Sequence, residues 1–435
     1  MGQKRPRIAY IIADAQLCGG VAVVCQHANR LACRGFDTCI VSTAGADRID
    51  WFPGQSVPVY PLARIPSGID VGVATWWETT HDLYRLDIPR KFYFIQSDET
   101  RFYDEGRYER IFARDSYRFD FECMTEARWI QKWLKDNFGK DAHYVPNGID
   151  LEMFYKTEPL EPKGDKPRVL IEGPADMPSK GVAEAFQAVR GLDCEVWHVN
   201  YRGEPDPSWK PDRYFFAVPM AEMRRVYSSC DILLKLSTVE GSSGPPLEMM
   251  ACGGTCVLGR VTGMDEAIVD GENALIVEQG DIEGARKAVK RLLDDRALRA
   301  RLIARGMESV RNLAWEKSID VLEKIFLSAA GPSHADRSPS KNLLREKETA
   351  FIDAYRCIKT VDKEREALKG RIACLDDGIA SLKKEIDLKK HELNAVYHSK
   401  QWKIAEAIKE ARRSLPALLA LPFRILRIGI GSGPR

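Results

Sequence analysis

The chain has 435 residues, 44% of them apolar, and a net charge of +2. That is enough length for roughly two or three domains with substantial cores, and nothing in the overall charge argues for a nucleic-acid partner. No stretch reaches the ~20 apolar residues needed to cross a bilayer. The eleven cysteines show neither zinc-ligand nor disulfide-framework spacing, which predicts reduced, mostly buried thiols in a cytoplasmic protein. Cys252 and Cys256, the only close pair, flank a Gly-Gly turn without His or Cys partners and read as packing residues.

In chain order, Ile8 to Ala13 has the length of a strand, is too short for an export segment and lacks a cleavage pattern. Pro6 stands where a myristoylation motif wants Ser or Thr. After Leu17, Cys18, Gly19 and Gly20 comes a helical pattern through Val21, Val24, Ala28 and Leu31, ending at Gly35 before a strand over Thr38 to Val41. This is a βαβ opening with glycines at the strand-to-helix turn, although it does not match G-x-G-x-x-G. Strand-length runs follow at Val57 to Tyr60, Val71 to Thr75 and Lys91 to Ile95, alternating with turns and helices as a parallel sheet requires. Trp76, Trp77 and Glu78, and then Gln96, Ser97, Asp98 and Glu99, come directly after two of these strands. They are therefore expected at the carboxyl edge, facing a cleft, with core packing the competing reading for the tryptophans.

A segment rich in Pro, Lys and Glu, Glu158 to Pro167, precedes a second series. Strand Val169 to Glu172 runs into Gly173-Pro174, Lys180-Gly181 and a helix over Val182 to Arg190. Strands at Glu195 to Val199 and Tyr214 to Val218, a helix at Met220 to Cys230 and an apolar run at Asp231 to Leu236 follow. Two more strands, Cys256 to Leu258 and Ala274 to Val277, lead into helices over Ile282 to Leu313 and Trp315 to Leu327.

The chemistry concentrates in Ser237 to Gly254, S-T-V-E-G-S-S-G-P-P-L-E-M-M-A-C-G-G. Strand, flexible loop and helix succeed one another here, the arrangement in which open α/β sheets bind ligands. Pro245 and Pro246 suit a helix start, and Gly241 and Gly244 let backbone amides approach a phosphate. Glu240 and Glu248 beside such a site make sense if they accept hydrogen bonds from hydroxyls of the same ligand, as a nucleotide sugar would offer; the competing reading is a first-turn acid and a solvated loop acid.

This stretch resembles the E-x7-E signature of the family 4 retaining glycosyltransferases, which have the GT-B fold. Gly19-Gly20 resembles the family's N-terminal glycine turn, and Tyr144 to Asp150 (Y-V-P-N-G-I-D) its interdomain segment. The resemblance spans about residues 5 to 330 and implies two Rossmann-like domains, with the Trp315 to Leu327 helix crossing back to the first. It implies that Glu248 accepts from ribose hydroxyls and Glu240 from those of the transferred sugar, while Gly241, Ser242, Ser243 and Gly244 offer amides. Lys180, with Gly19, Gly20, Gly173 and Gly181, would face the donor diphosphate. Two departures stand out: Gln96 falls where members often carry His, and Pro174 replaces an arginine of the diphosphate site, leaving Lys235, Arg202 or Arg260 to compensate.

Gly331 to Ser340 has linker composition. Beyond it a seven-residue repeat puts Leu344, Phe351, Ile358, Ile372, Ile379, Ile386 and Leu393 on one seam, interrupted by Arg365. Ala354, Val361, Leu368, Leu375, Leu382 and Val396 form the companion seam. Such heptads predict a coiled coil and hence a homo-oligomer, a parallel dimer or a trimer, with the Ile and Leu seams favouring two strands and an antiparallel helix packed on the enzyme as the alternative. Gly370 and Gly378 weaken its middle. The segment from His398 to Arg435 has eight basic residues against two acids among aliphatic side chains, which suits a membrane interface better than nucleic acid, with packing or disorder as the competing readings.

The resulting expectation is an α/β protein of GT-B type: residues 1–150 on the acceptor side, 151–330 on the nucleotide-sugar side, a linker at 331–342, a coiled coil at 343–397 and a basic amphipathic tail at 398–435. It would move a sugar from a nucleotide-diphosphate sugar to a glycan or lipid-linked acceptor without a metal or other cofactor, in the cytoplasm at the inner face of the membrane. A noncatalytic scaffold recruiting partners through the coiled coil, and a nucleotide-sugar epimerase, are the alternatives.

Overall fold

The computed structural model describes residues 5–242, 244–263, 266–328 and 339–414. Contacts divide the chain into a unit of residues 1–349 and a second unit of 350–435. The first unit opens with β1 (Ile8–Ile12), α1 (Gly19–Cys33), β2 (Thr38–Ser42), β3 (Val59–Pro61), β4 (Val71–Ala74) and α2 (Trp77–Arg85). It continues through β5 (Arg90–Ile95), α3 (Tyr108–Ser116), β6 (Glu122–Thr125), α4 (Arg128–Phe138) and β7 (Ala142–Tyr144). A second series follows: β8 (Arg168–Glu172), α5 (Val182–Val189), β9 (Glu195–Asn200), β10 (Arg213–Phe216), α6 (Met220–Ser229), β11 (Ile232–Lys235) and α7 (Gly244–Ala251). Then come β12 (Thr255–Gly259), β13 (Leu275–Val277), α8 (Ile282–Asp294), α9 (Arg296–Val310) and α10 (Trp315–Ser328). The second unit consists of most of α11 (Pro339–His398) and all of α12 (Lys400–Ser414).

Each series forms one parallel sheet. The first has the order β3-β2-β1-β4-β5-β6-β7 and the second β10-β9-β8-β11-β12-β13. Strands such as β1 (I-A-Y-I-I) and β12 (T-C-V-L-G) are buried along their whole length, because helices cover both faces of a parallel sheet and leave no polar alternation. In both sheets the order reverses beside the first strand, between β1 and β4 and between β8 and β11. Crevices at the carboxyl ends of such strands are where doubly wound folds bind ligands. The loops expected to carry chemistry, after β1, β8 and β11, all leave from these points.

Helix α10 belongs by sequence to the second series and by packing to the first. Its Ile319, Leu322, Ile325 and Phe326 join Ile8, Tyr10, Val24, Leu31 and Phe92 in one core, with the Phe92 and Phe326 rings edge to face at 5.5 Å. Four such buried side chains contribute roughly 6–12 kcal/mol, an upper value because unfolded chains already bury some apolar area. Arg34 on α1 adds ion pairs to Asp320 at 2.7 Å and Glu323 at 3.0 Å. The helix thus crosses back to the first sheet.

Candidate active site

The site is built at the carboxyl ends of β8 and β11. Strand β11 delivers Lys235, which is 4% exposed, and the loop after it delivers Glu240, which is 9% exposed. The Lys180–Gly181 turn closes over the same strand end. Gly181 has φ +66°, and a Cβ there would overlap the Leu236 carbonyl, so only glycine lets the two loops approach this closely. The Thr238 amide then donates to the Ser179 carbonyl at 2.8 Å, fixing one loop to the other.

Four charged groups meet there. Lys180 Nζ lies 2.9 Å and 3.0 Å from the two Glu240 carboxylate oxygens. Lys235 Nζ donates to Glu172 Oε2 at 2.9 Å and lies 3.8 Å from Glu240 Oε1. Burial opposes the Glu240 charge, but Lys235 and Lys180 outweigh it and hold its pKa below the usual carboxylate value. Burial likewise opposes the Lys235 charge and is outweighed by Glu172 and Glu240, so this lysine stays protonated. Of the three cations that could stand in for the arginine absent at Pro174, Lys235 alone reaches the cluster. Arg202 is paired with Asp176 at 3.0 Å on the surface, and Arg260 with Glu278 at 2.8 Å.

Glu248 stands one turn into α7 and accepts a hydrogen bond from the buried Tyr227 hydroxyl at 2.9 Å. Burial pushes its pKa up to about 7 despite that bond. Helix α7 begins at Gly244, so its free amides point back along the loop of Gly241 and Ser242. Ser243 lies outside the described residues. Gly19 and Gly20 open α1, and the space beside the Gly19 Cα is empty, whereas a Cβ on Gly20 would lie 3.2 Å from the Gln96 amide group. The Gly173 amide bonds to the Val199 carbonyl at 3.1 Å.

The first domain contributes more than its glycine turn. A Cβ on Gly241 would overlap the Gln96 carbonyl, so Gln96 touches both glycine loops from the position where the resemblance placed a histidine. Trp129 Nε1 donates to the Gly241 carbonyl at 2.9 Å and Arg101 to the Thr238 carbonyl at 3.2 Å. Glu126, directly after β6, lies beside Gly241 and accepts from Asn147 at 2.8 Å. Burial, and then the Glu240 charge, push the Glu126 pKa up to about 8. Sequence reasoning missed Glu126 and Trp129 because the β6 run is short and opens on the charged Glu122; Cys123-Met124-Thr125 followed by a polar residue was the available signal. Beside Trp129, an open hollow of about 620 Å³ is lined by Arg128, Trp129, Lys132, Tyr144 and Glu266.

Three of the expected cleft residues are internal instead. Trp77 is fully buried, with its indole donating to Tyr103 Oη at 3.0 Å, and Glu99 is 1% exposed, accepting from the Trp77 amide at 2.7 Å and the Tyr93 hydroxyl at 3.0 Å. Ser97 is buried as well. Trp77 opens α2 and Glu99 opens a short 3-10 turn, and both turns direct these side chains inward. All eleven cysteines are free thiols, six of them buried.

Two doubly wound domains with a carboxylate and lysine cluster at the second domain's switch point define a GT-B protein. Solved structures agree on the fold: sucrose-phosphate synthase from Thermosynechococcus elongatus superimposes with a TM-score of 0.63 at 18% identity, covering 74% of this chain and 98% of that one. Anabaena HepE, solved in complex with UDP-glucose, gives 0.63 at 13% identity over 74% and 99%. Residues 213–309, which carry Glu240 and Glu248, match the family described as glycosyl transferases group 1. Curated relatives include the O-antigen biosynthesis protein RfbC of Myxococcus xanthus, 24% identical over 62% of this chain and 22% of its own length. The phosphatidyl-myo-inositol mannosyltransferase of Mycolicibacterium smegmatis is 26% identical over 46% of this chain and 55% of its own. The chain thus spans about a fifth of the first and about half of the second of these relatives.

Proposed function

We propose that the protein transfers a sugar from a nucleotide-diphosphate sugar to a glycan or lipid-linked acceptor, with retention at the anomeric carbon, in bacterial surface polysaccharide synthesis. The observation that carries this reading is the pairing of Lys180 with Glu240 at the β8/β11 switch point, with Glu248 one turn into the helix that follows. Glu248 accepts from the ribose hydroxyls and Glu240 from those of the sugar. Lys180, whose flexible stem lets its ammonium turn from Glu240, meets the diphosphate together with the amides of Gly241, Ser242 and Gly244 and the glycine turns at Gly19, Gly20 and Gly173. Lys235 keeps Glu240 charged when Lys180 moves. These partners supply the positive field that the leaving group needs, so the reading requires no metal.

The acceptor enters from the first-domain side, past Gln96 and the hollow beside Trp129. Its hydroxyl oxygen bonds to the anomeric carbon as the bond from that carbon to the phosphate oxygen breaks, and its proton passes to the departing phosphate on the same face. Burial raises the pKa of Glu126, beside Gly241, to about 8, which makes it a poor nucleophile for a double displacement and favours the front-face route. The basic segment after Ser399 gives peripheral membrane contact, placing the enzyme on the cytoplasmic face where lipid-linked acceptors are.

Incubation with a panel of nucleotide sugars and membrane extract, followed by product analysis, tests the reading. Transfer by the native protein, lost in Glu240→Ala and Glu248→Ala, supports it. Binding without turnover points to a scaffold, and epimerised free nucleotide sugar to an epimerase.

A further inference from the structure

Helix α11 runs unbroken through the heptad stretch, including Gly370 and Gly378, and carries its apolar repeat in the open. Ile372, Leu375, Ile379 and Leu382 are 57%, 66%, 49% and 59% exposed. Aliphatic side chains continue the same stripe from Ile358 to Val396, about 57 Å of helix at 1.5 Å per residue. A contiguous apolar surface of that length on a water-exposed helix marks an interface.

The flanking charges say what covers it. With Ile358, Ile372, Ile379 and Ile386 at the first core position of the heptad (a) and Val361, Leu368, Leu375 and Leu382 at the second (d), the positions before a (g) hold Glu364, Arg371 and Glu385. The positions after d (e), five residues further on, hold Lys369, Asp376 and Lys390. In a parallel pair of helices in register, each g residue faces the e residue of the partner's next heptad. Glu364 then meets Lys369, Arg371 meets Asp376 and Glu385 meets Lys390, and twofold symmetry forms every pair twice. No like charges oppose one another in this arrangement, since the other g residues of the stripe are Cys357, Gly378 and Glu392, the last facing Tyr397. Sliding one helix by a heptad sets Glu364 against Asp376 and Arg371 against Lys383, so the charges select register as well as direction. Arg365 interrupts the core at an a position, where the partner's Glu364 lies next to it, and Lys389 interrupts it at a d position; polar core residues of this kind fix register. Ile at a with Leu at d favours two strands over three.

We propose that α11 pairs with α11 of a second copy as a parallel, in-register, two-stranded coiled coil. The two α12 helices, each ending in Arg412 and Arg413, leave such a coil at the same end, which doubles the basic face presented there.

The full-length chain with Cys357→Ser and Cys374→Ser tests this when Val361→Cys is added. Val361 sits near the N-terminal end of the Ile358 to Val396 stripe, so antiparallel pairing along that stripe would hold its two copies far apart and only parallel, in-register pairing brings them together. The expected results are a dimer by light scattering and a disulfide-linked dimer on oxidation. Lys369→Glu alone should weaken the dimer about three- to tenfold, and Glu364→Lys added to it should restore the affinity, with helicity by circular dichroism unchanged in both. A monomer, a trimer, a dimer that fails to cross-link through position 361, or a Lys369→Glu effect that the second substitution does not repair would overturn the proposal.

Discussion

Lys180 holds both carboxylate oxygens of Glu240, at 2.9 Å and 3.0 Å, with the Lys235 ammonium 3.8 Å from one of them. The pair is a stored contact between a cation suited to a diphosphate and an anion suited to sugar hydroxyls. Donor binding on this account exchanges the ion pair for two sets of ligand contacts. Lys180→Ala should therefore lower kcat by about 10²–10³, the usual cost of removing one donor to developing negative charge, as steady-state transfer kinetics would show.

Lys235 answers to two carboxylates at once. Lys235→Met leaves Glu172 and Glu240 buried with one cation between them, and should cost about 3–5 kcal/mol of unfolding free energy in denaturant titration. Adding Glu172→Gln to that variant should recover part of the loss, because the stranded charge is then removed.

Glu99 gives a pH dependence with a definite sign. Burial raises its folded-state pKa to about 8 from an ordinary 4.5. Between those values the folded state holds a proton that the unfolded state releases, so this stabilisation is complete below pH 4.5 and is lost as pH rises to 8. Glu99→Gln should make the fall in Tm between pH 5 and 8 shallower in differential scanning calorimetry. A fall as steep as in the native protein would rule out Glu99 as its source.

Gly241→Ala inserts a methyl group against the Gln96 carbonyl, forcing the donor loop away from the first domain. Since the overlap involves backbone rather than a flexible side chain, the cleft has to open. The expectation is a rise in KM for the donor of at least tenfold, with a Tm change of only a few degrees.

Truncation after Ser399 removes α12, whose Trp402, Ile404 and Ile408 are 39%, 58% and 43% exposed, together with the basic residues beyond it. Co-sedimentation with anionic liposomes should then fall sharply while transfer to a soluble acceptor persists. Among the described residues no helix is long and apolar enough to cross a membrane, so any retained sedimentation would have to come from another surface.

The two sheets were legible because each strand is a short apolar run closed by Gly, Pro or a polar turn, and that signal is local. The Glu240 and Glu248 pair was legible for the same reason, since strand, glycine loop and Pro-initiated helix lie within some twenty residues. What escaped notice depends on distant parts of the chain. Glu126 and Asn147 are 21 residues apart, and neither announces that it sits beside Gly241. Lys235 looked like one of three interchangeable cations until the ends of β8 and β11 brought it between Glu172 and Glu240. Trp77 and Glu99 were placed on the wrong side of their loops because a run of polar and aromatic residues after a strand does not reveal which side chains turn inward. The crossing of α10 to the first core came from the family resemblance and not from its own amphipathic pattern, which would suit either sheet.

The most direct measurement is isothermal titration of nucleotide-diphosphate sugars into the native protein, Glu248→Ala and Lys180→Ala. The account predicts binding of at least one nucleotide sugar, weakened tenfold or more in both variants, with the matching free nucleoside diphosphate losing affinity in the same two. Undiminished binding in both variants, or no binding by the native protein across the panel, would contradict it.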